Sequence, residues 1–154
     1  MNTLLEFEFE IRALEDFTNK LARKIKKGDI FLLSGDLGVG KTTFARKLIF
    51  SIFDMHDLKK PEKIQSPSFP ILINYPILNF ELNHYDLFRL KDKGELEELN
   101  IYENLNNNIS IIEWPEIILE NNKLTNYYLL EFKLISLKKR FIKMKHFQKN
   151  FNDS

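Results

Sequence analysis

The sequence has no cysteine among its 154 residues. This excludes a disulfide scaffold, thiolate catalysis, and zinc or iron–sulfur sites built on cysteine. It also has little excess charge: the formal net charge is +1, which gives no reason by itself to expect a nucleic-acid or membrane partner. No apolar run approaches the roughly 18 residues of a membrane span, and Glu6, Glu8 and Glu10 argue against an N-terminal signal peptide. We therefore expect a soluble, cytoplasmic protein.

The first third of the chain alternates between strand-like and helix-like patterns. Apolar and acidic residues alternate from Leu5 to Ile11, which predicts a strand with one wet face at a sheet edge. Apolar residues then recur at helical spacing from Leu14 to Ile25. Ile30 to Leu33 is wholly apolar, as in a buried parallel strand, and a helical pattern covers about Lys41 to Phe53.

The remainder of the chain is richer in turns and hairpins. Four of the five prolines fall between Pro61 and Pro76, so that segment is expected to be largely loop. Further predicted elements are a strand over Phe69–Tyr75 broken at Pro70, a partner strand over Glu81–Phe88, a helix over Lys93–Asn104, a short strand over Ile109–Ile112, and a hairpin of Tyr127–Ile135 with Phe141–Phe147. This order predicts one three-layer α/β domain over residues 1–154, with a mixed, mostly parallel central sheet and β-hairpins.

A glycine-rich loop follows the second predicted strand. Its residues fit G-x-x-x-x-G-K-[ST] at every fixed position: Gly35, Asp36, Leu37, Gly38, Val39, Gly40, Lys41 and Thr42. Three of the five glycines of the chain lie here. Such a loop turns tightly and directs successive backbone N–H groups at an anion, and the helix that follows adds the positive end of its dipole. We therefore predict a P-loop that binds nucleotide phosphates.

The side chains after the loop complete the expected phosphate site. Lys41 brings a point charge to the β- and γ-phosphates, and the Thr42 hydroxyl is suited to Mg²⁺. Thr43 lies in the same helical turn, within reach of the α-phosphate. A lysine-to-alanine change at position 41 is expected to abolish ATP binding without unfolding the domain.

Two acids are candidates for holding Mg²⁺ and orienting an attacking water. Asp86 lies in the strand-like "LNHYDLF", and Glu113 ends the apolar run "ISIIE". Ligands gather at the carboxyl ends of strands in α/β sheets, so both acids are expected at one site. A surface ion pair with Arg89 is the other interpretation of Asp86. The division of roles between the two acids stays open from the sequence.

Two further residues near these acids have more than one interpretation. His84 lies two residues before Asp86 and hence on the same strand face, where a lone histidine more often packs than takes part in chemistry. Trp114 is the single tryptophan. It either caps the core or lies beside the site, where it stacks on the adenine ring or covers it.

The motifs together resemble the TsaE family, formerly called YjeE. The resemblance rests on Gly35–Thr43, then "SPSF" (Ser66, Pro67, Ser68, Phe69), then "HYDLFRL" (His84–Leu90), then "IEWPE" (Ile112–Glu116). It covers roughly Leu14 to Glu120. "IEWPE" after a histidine–aspartate strand and a P-loop is far more specific than the P-loop alone.

The resemblance implies a three-layer P-loop NTPase fold and a role in tRNA modification. Members bind ATP and Mg²⁺ and hydrolyse ATP weakly alone. They act with TsaD and TsaB, which form N6-threonylcarbamoyladenosine in tRNAs reading codons that begin with adenine. The ATPase does not transfer the group; it resets the partner complex, and so meets tRNA only indirectly.

The resemblance also implies residue roles. Lys41, Thr42 and Thr43 match the phosphate and Mg²⁺ contacts, and Asp86 and Glu113 match the two catalytic and metal-binding acids. Trp114 matches a tryptophan that flanks the nucleotide, and Ser66–Phe69 a switch-like loop over the γ-phosphate. Ser68 replaces the usual threonine and keeps its hydroxyl.

Other functions share a P-loop. The main alternative is a small-molecule kinase, which needs an acceptor pocket and arginines that close over the phosphates, whereas the basic residues here are mostly lysine. A GTP-dependent switch usually carries N-K-x-D. Neither Asn19-Lys20 nor Asn122-Lys123 is followed by the required aspartate.

The C-terminal part is basic. From Phe132 to Asn152 the chain has no acid and seven Lys or Arg. This pattern has two interpretations. The basic residues either contact tRNA or an acidic face of a partner, or they form the solvated face of a hairpin in which apolar residues alternate with Lys143 and Lys145. We favour the hairpin, and we expect partial disorder within about residues 136–154.

Overall fold

The computed structural model describes residues 1–149. The strands are β1 (Asn2–Glu10), β2 (Ile30–Ser34), β3 (Leu72–Ile77), β4 (Phe80–Asp86), β5 (Ile109–Glu113), β6 (Asn126–Leu134) and β7 (Lys139–Gln148). The α-helices are α1 (Leu14–Ala22), α2 (Lys41–Met55), α3 (Lys93–Glu98), α4 (Ile101–Leu105) and α5 (Glu116–Leu119), and a 3-10 turn over Ile11–Ala13 leads into α1. Within residues 1–149, no helix has the length and apolarity needed to cross a membrane.

All the described strands form a single sheet in the order β1-β7-β6-β2-β5-β4-β3. The central strands β6, β2, β5 and β4 pair in parallel. At the two ends of the sheet, β7 and β3 run against their neighbours, and β1 runs against β7. The predicted mixed and mostly parallel sheet is thus confirmed, as is the edge position of the first strand. The carboxyl ends of β2, β4 and β5 meet at one edge of the sheet.

Helices cover both faces of the sheet and give three layers. The alternate side chains of β2 separate the two cores: Phe31 and Leu33 pack in the cluster that includes α1 and α2. Ile30 and Leu32 pack in the cluster that includes α3, α4 and α5. A strand buried on both faces reads as a continuous apolar run, and this explains why the residues before the glycine loop are all apolar.

Several predicted elements have different bounds in the structure, among them β3 and α1. The strand predicted from Phe69 begins only at Leu72, because Pro70 is followed by Ile71 with a left-handed φ of 68°. Pro76 lies within β3, where an edge strand tolerates the missing N–H. The helix predicted to Ile25 ends at Ala22.

The segment Lys93–Asn104 is helical as predicted, but it forms two short helices and not one. The segment forms α3 and α4, separated at Asn100, whose φ is 48°. Asparagine tolerates the left-handed region better than most residues.

The C-terminal hairpin β6–β7 carries the basic residues. Ile142 and Met144 of β7 are buried, while Lys143 pairs with Glu6 and Lys145 with Glu131 on the neighbouring strands. This arrangement supports the hairpin interpretation. Of the segment expected to be partly disordered, residues 139–148 form β7, and residues 150–154 lie outside the described residues.

Candidate functional site

The glycine loop connects the carboxyl end of β2 to the first turn of α2. Gly35 has a φ of 142°, and a Cβ at this position would lie 2.6 Å from the backbone oxygen of Phe132. Only glycine fits so close to a neighbouring strand. At the other end of the loop, Gly40 has a φ of 108° and is the N-cap of α2. The helix N-terminus therefore points into the loop, which is the geometry of an anion site.

Lys41 is held within the loop by backbone oxygens. Its side chain is only 4% exposed, and Nζ donates to the carbonyl oxygens of Gly35 and Asp36, the latter at 2.8 Å. The ammonium also lies 3.8 Å from the centroid of the Trp114 ring. Burial lowers the pKa of Lys41, and the nearby Glu113 carboxylate partly opposes this effect. The loop thus keeps a buried cation in place beside acids.

Asp86 and Glu113 lie side by side at the ends of parallel strands. They are register partners of β4 and β5, and their exposed fractions are 5% and 1%. The Thr42 hydroxyl donates to Oε2 of Glu113 at 2.7 Å. The predicted metal-ligand hydroxyl and one predicted acid therefore contact each other directly.

His84 contacts the same carboxylate from behind. Its Nε2 lies 2.8 Å from Oε1 of Glu113, and the ring is fully buried. The sequence interpretation of His84 as a packing residue therefore misses a polar contact. The i, i+2 spacing from Asp86 places both side chains on one face of β4, and that was the available signal.

Asp86 has other hydrogen-bond partners than Glu113. Its Oδ1 accepts from the backbone N–H of Phe88 at 3.0 Å, and its Oδ2 accepts from the Ser68 hydroxyl at 3.2 Å. The Ser66 and Ser68 hydroxyls lie 2.7 Å apart. Arg89 lies over the Phe69 ring, with its guanidinium carbon 5.3 Å from the ring centroid. The surface-pair interpretation of Asp86 does not describe this arrangement.

Trp114 lies at the site and does not cap the core. Its φ is 56°, a left-handed conformation that is uncommon for a bulky residue and often found at functional sites. The backbone N–H of Trp114 donates to the Leu33 carbonyl at 3.2 Å. The centroid of the indole ring lies 4.7 Å from that of the Phe88 ring. The turn therefore swings the indole over Lys41, away from the core.

The side chains converge on one cavity of about 200 Å³. It is lined by Leu37, Gly38, Gly40, Lys41, Thr42, Thr43, Ser68, Asp86, Glu113 and Trp114. A larger groove of about 660 Å³, between β1 and α1, shares no residue with it. The chemistry predicted from the sequence therefore belongs to the smaller cavity.

The donors in this cavity fit a hard divalent cation. Thr42, Asp86 and Glu113 supply oxygen atoms only, which suits Mg²⁺. Within the described part of the chain, no group of three or more His, Asp or Glu side chains is arranged as a metal cage by itself. Mg²⁺ usually binds through one or two carboxylates together with substrate phosphates and water, and the donor set matches that mode.

The other predicted site residues lie outside the cavity lining. Gly35 and Asp36 form the loop backbone that holds Lys41, and Val39 is buried in the core. In the switch-like loop, Pro67 is buried and Phe69 is 82% exposed. Sequence reasoning also missed a contact beside the glycine loop: the Ser34 hydroxyl donates to Oε1 of Glu116 at 2.9 Å.

Comparisons with known proteins identify the family to which the chain is similar. Residues 10–142 match the family described as threonylcarbamoyl adenosine biosynthesis protein TsaE. The TsaE protein of Rickettsia felis is 45% identical over 108 residues, which cover 68% of this chain and 60% of that protein. The TsaE protein of Borreliella burgdorferi is 32% identical over 134 residues, 86% of this chain and 92% of that protein.

A solved structure supports the fold. YdiB of Bacillus subtilis superimposes with a TM-score of 0.65 at 20% identity, over 91% of this chain and 83% of that chain. The fold and the glycine loop are those of a P-loop nucleotide-binding protein. On these grounds the chain belongs to the TsaE family of tRNA threonylcarbamoyladenosine biosynthesis proteins.

Proposed function

We propose that this protein binds Mg²⁺–ATP in the 200 Å³ cavity and hydrolyses it in support of a TsaD–TsaB complex in the cytoplasm. The complex forms N6-threonylcarbamoyladenosine in tRNAs reading codons that begin with adenine. In this proposal the ATPase resets the complex between turnovers and does not transfer the threonylcarbamoyl group. The observation that carries the proposal is the 2.7 Å hydrogen bond from Thr42 to Glu113 inside a P-loop cavity.

The loop residues bind the phosphates in this proposal. The backbone N–H groups from Gly38 to Lys41 face the β-phosphate at the N-terminus of α2. The Lys41 ammonium leaves its carbonyl partners to contact the β- and γ-phosphates, and Thr43 contacts the α-phosphate. The Trp114 ring lies 3.8 Å from the Lys41 ammonium, so in this proposal the indole flanks the nucleotide near its phosphates.

Bound Mg²⁺ would neutralise charge that develops on the transferred phosphoryl group. Thr42 donates its proton to Glu113, so the lone pairs of its oxygen are free to face the cation. We assign Glu113 to metal placement through this contact. Asp86 touches Ser68 of the switch-like loop, and we assign it to orienting the attacking water.

The charge of the cavity supports a need for partner proteins. Among the described residues that line it, Lys41 is the cation. Phosphoryl transfer to water usually requires additional positive charge at the transition state, often an arginine supplied by a partner protein. This supports weak hydrolysis by the isolated protein and faster hydrolysis in the complex.

The test is ATPase activity with and without the TsaB–TsaD pair. We expect slow turnover alone and an increase of at least about tenfold, or ~1.4 kcal/mol of transition-state stabilisation, when the pair is added. The Lys41→Ala protein, added with the same pair, is the control for contaminating activity. Unchanged turnover in the complex, or rapid phosphorylation of a small-molecule acceptor without partners, would contradict the proposal.

A further inference from the structure

His84 of β4 is buried beneath the site and contacts the Glu113 carboxylate. It is 0% exposed and lies on the same strand face as Asp86. Its Nε2 is 2.8 Å from Oε1 of Glu113, while Oε2 of the same carboxylate accepts from Thr42. The Glu113 carboxylate is therefore held at both oxygens, by the phosphate loop on one side and by β4 on the other.

The surroundings of the ring select its tautomer. Nδ1 of His84 is buried and has no hydrogen-bond partner among the described residues. A proton on Nδ1 would be a buried donor without an acceptor, which is costly. The proton therefore belongs on Nε2, which donates it to Glu113. An unprotonated Nδ1 is an acceptor, and a buried acceptor without a partner costs less free energy than a buried N–H donor without one.

We propose that His84 is a positioning residue that fixes the orientation of the Glu113 carboxylate, and through it the hydroxyl of Thr42. This rests on the proposed Mg²⁺–ATP site. With Oε1 tied to His84, Oε2 stays directed at Thr42, and the threonine proton has one acceptor. The Thr42 lone pairs then face the cation without rearrangement when nucleotide binds.

The matched variants exploit the position of the donor atom. In His84→Gln the side-chain amide nitrogen lies as many bonds from Cα as Nε2 does, so it can donate to Glu113. In His84→Asn the amide nitrogen occupies the place of Nδ1 and does not reach the carboxylate. A purely structural role would make both changes harmful to a similar degree, because both replace an aromatic ring by a smaller amide.

The first readout is Mg²⁺ affinity. It is measured with a fluorescent ATP analogue titrated with Mg²⁺, together with kcat and KM for ATP in the TsaB–TsaD complex. We expect His84→Asn to weaken Mg²⁺ binding by roughly 10- to 100-fold, as for other lost outer-shell contacts, with the Mg²⁺-free affinity for the analogue unchanged. We expect His84→Gln to stay within about threefold of the wild type, by restoring the hydrogen bond.

The second readout needs no nucleotide. Ring ¹⁵N chemical shifts of the three histidines report which nitrogen of each carries the proton. We expect His84 to be protonated at Nε2 alone, and its shifts to change in Glu113→Gln, which alters the acceptor. This readout remains informative if an amide variant at position 84 fails to fold.

Asn83→Ala is the control for loss of a buried polar residue on β4. Asn83 is 1% exposed and accepts from Asn74 at 2.7 Å on the opposite face of the strand. We expect it to lower the thermal midpoint and to leave Mg²⁺ affinity unchanged.

The outcomes separate this role from the proposed function. Equal Mg²⁺ affinity in the wild type, His84→Asn and His84→Gln would overturn the positioning role alone, as would a proton on Nδ1. A wild-type protein that binds no Mg²⁺–ATP would overturn the proposed function, and with it this role.

Discussion

The two acids of the site occupy paired positions in the sheet but have different surroundings. Glu113 is held by Thr42 and His84, both fixed in regular elements. Asp86 is held by the N–H of Phe88, two residues on, and by Ser68 of an exposed loop. We call the first set, with Gly35 and Lys41, the anchored side, and Asp86 with Ser66–Phe69 the loop side. Under the proposed function, this difference predicts that ATP binding depends on the anchored side and that turnover depends on the loop side.

Lys41→Ala should have the largest effect, because it removes the cation of the anchored side. We expect the ATP affinity to fall at least about 1,000-fold (~4 kcal/mol), as for the loss of charge-assisted contacts to phosphate. Calorimetric titration of the purified protein measures this. The circular dichroism spectrum should match that of the wild type. An unchanged affinity would refute the assignment of the loop to nucleotide binding.

Lys41→Met separates the function of this lysine from its cost to stability. Burial lowers the pKa of Lys41 below its ordinary value of 10.5, so the charged form destabilises the folded state. This cost is complete below the folded-state pKa and disappears as the pH rises toward 10.5. Without nucleotide, denaturation should therefore find the wild type gaining stability relative to Lys41→Met as the pH rises toward 10.5, because methionine does not titrate. A constant difference would contradict the burial argument.

The two amide variants test the comparison directly. Glu113→Gln should weaken Mg²⁺-dependent ATP affinity by about 100-fold (about 2.7 kcal/mol), because the amide keeps one acceptor oxygen and places an NH₂ donor against either Thr42 or His84. Asp86→Asn should lower kcat in the TsaB–TsaD complex by about 100-fold with affinity nearly unchanged. Both quantities are measured for both proteins. The same pattern in the two variants would remove the distinction between the sides.

Gly35→Ala should disturb the anchored side through its backbone. The added Cβ would lie 2.6 Å from the Phe132 oxygen at a φ of 142°. We expect a loss of about 2 kcal/mol in unfolding free energy by chemical denaturation without nucleotide. Gly38→Ala is the matched control: its φ is 78°, but nothing lies within 4 Å of the new atom. Its unfolding free energy should fall by about 1 kcal/mol. Equal losses in the two variants would show that the close contact with β6 does not affect stability.

The sequence predicts the local parts of this molecule well. The phosphate loop is one contiguous motif, and its glycines reveal the backbone conformations they must adopt. The strands around it follow from short-range patterns, and the rule that strand carboxyl ends meet brings Asp86 and Glu113 together without knowledge of the register.

The contacts that distinguish the two acids could not be predicted. His84 reaches Glu113 only because β4 pairs with β5 in a particular register, with Asp86 opposite Glu113, and register depends on long-range packing. The left-handed φ of Trp114 and the break at Asn100 are likewise imposed by the tertiary fold on residues whose own preferences allow several conformations. Short α5 leaves too few residues for a periodic signal.

Ser68→Ala should have the smallest effect, and it tests how firmly the loop side is built. The variant loses one hydrogen bond of 3.2 Å to Asp86, from a residue that is itself exposed, so we expect kcat in the TsaB–TsaD complex to fall by only about threefold (~0.7 kcal/mol). Ser68→Thr keeps the hydroxyl and should match the wild type. Asp86 also retains its contact with the Phe88 N–H, which limits the loss. A decrease in Ser68→Ala as large as that in Asp86→Asn would mean that Asp86 works only through this serine. The loop side would then be as tightly built as the anchored side, and the contrast between the two acids would no longer hold.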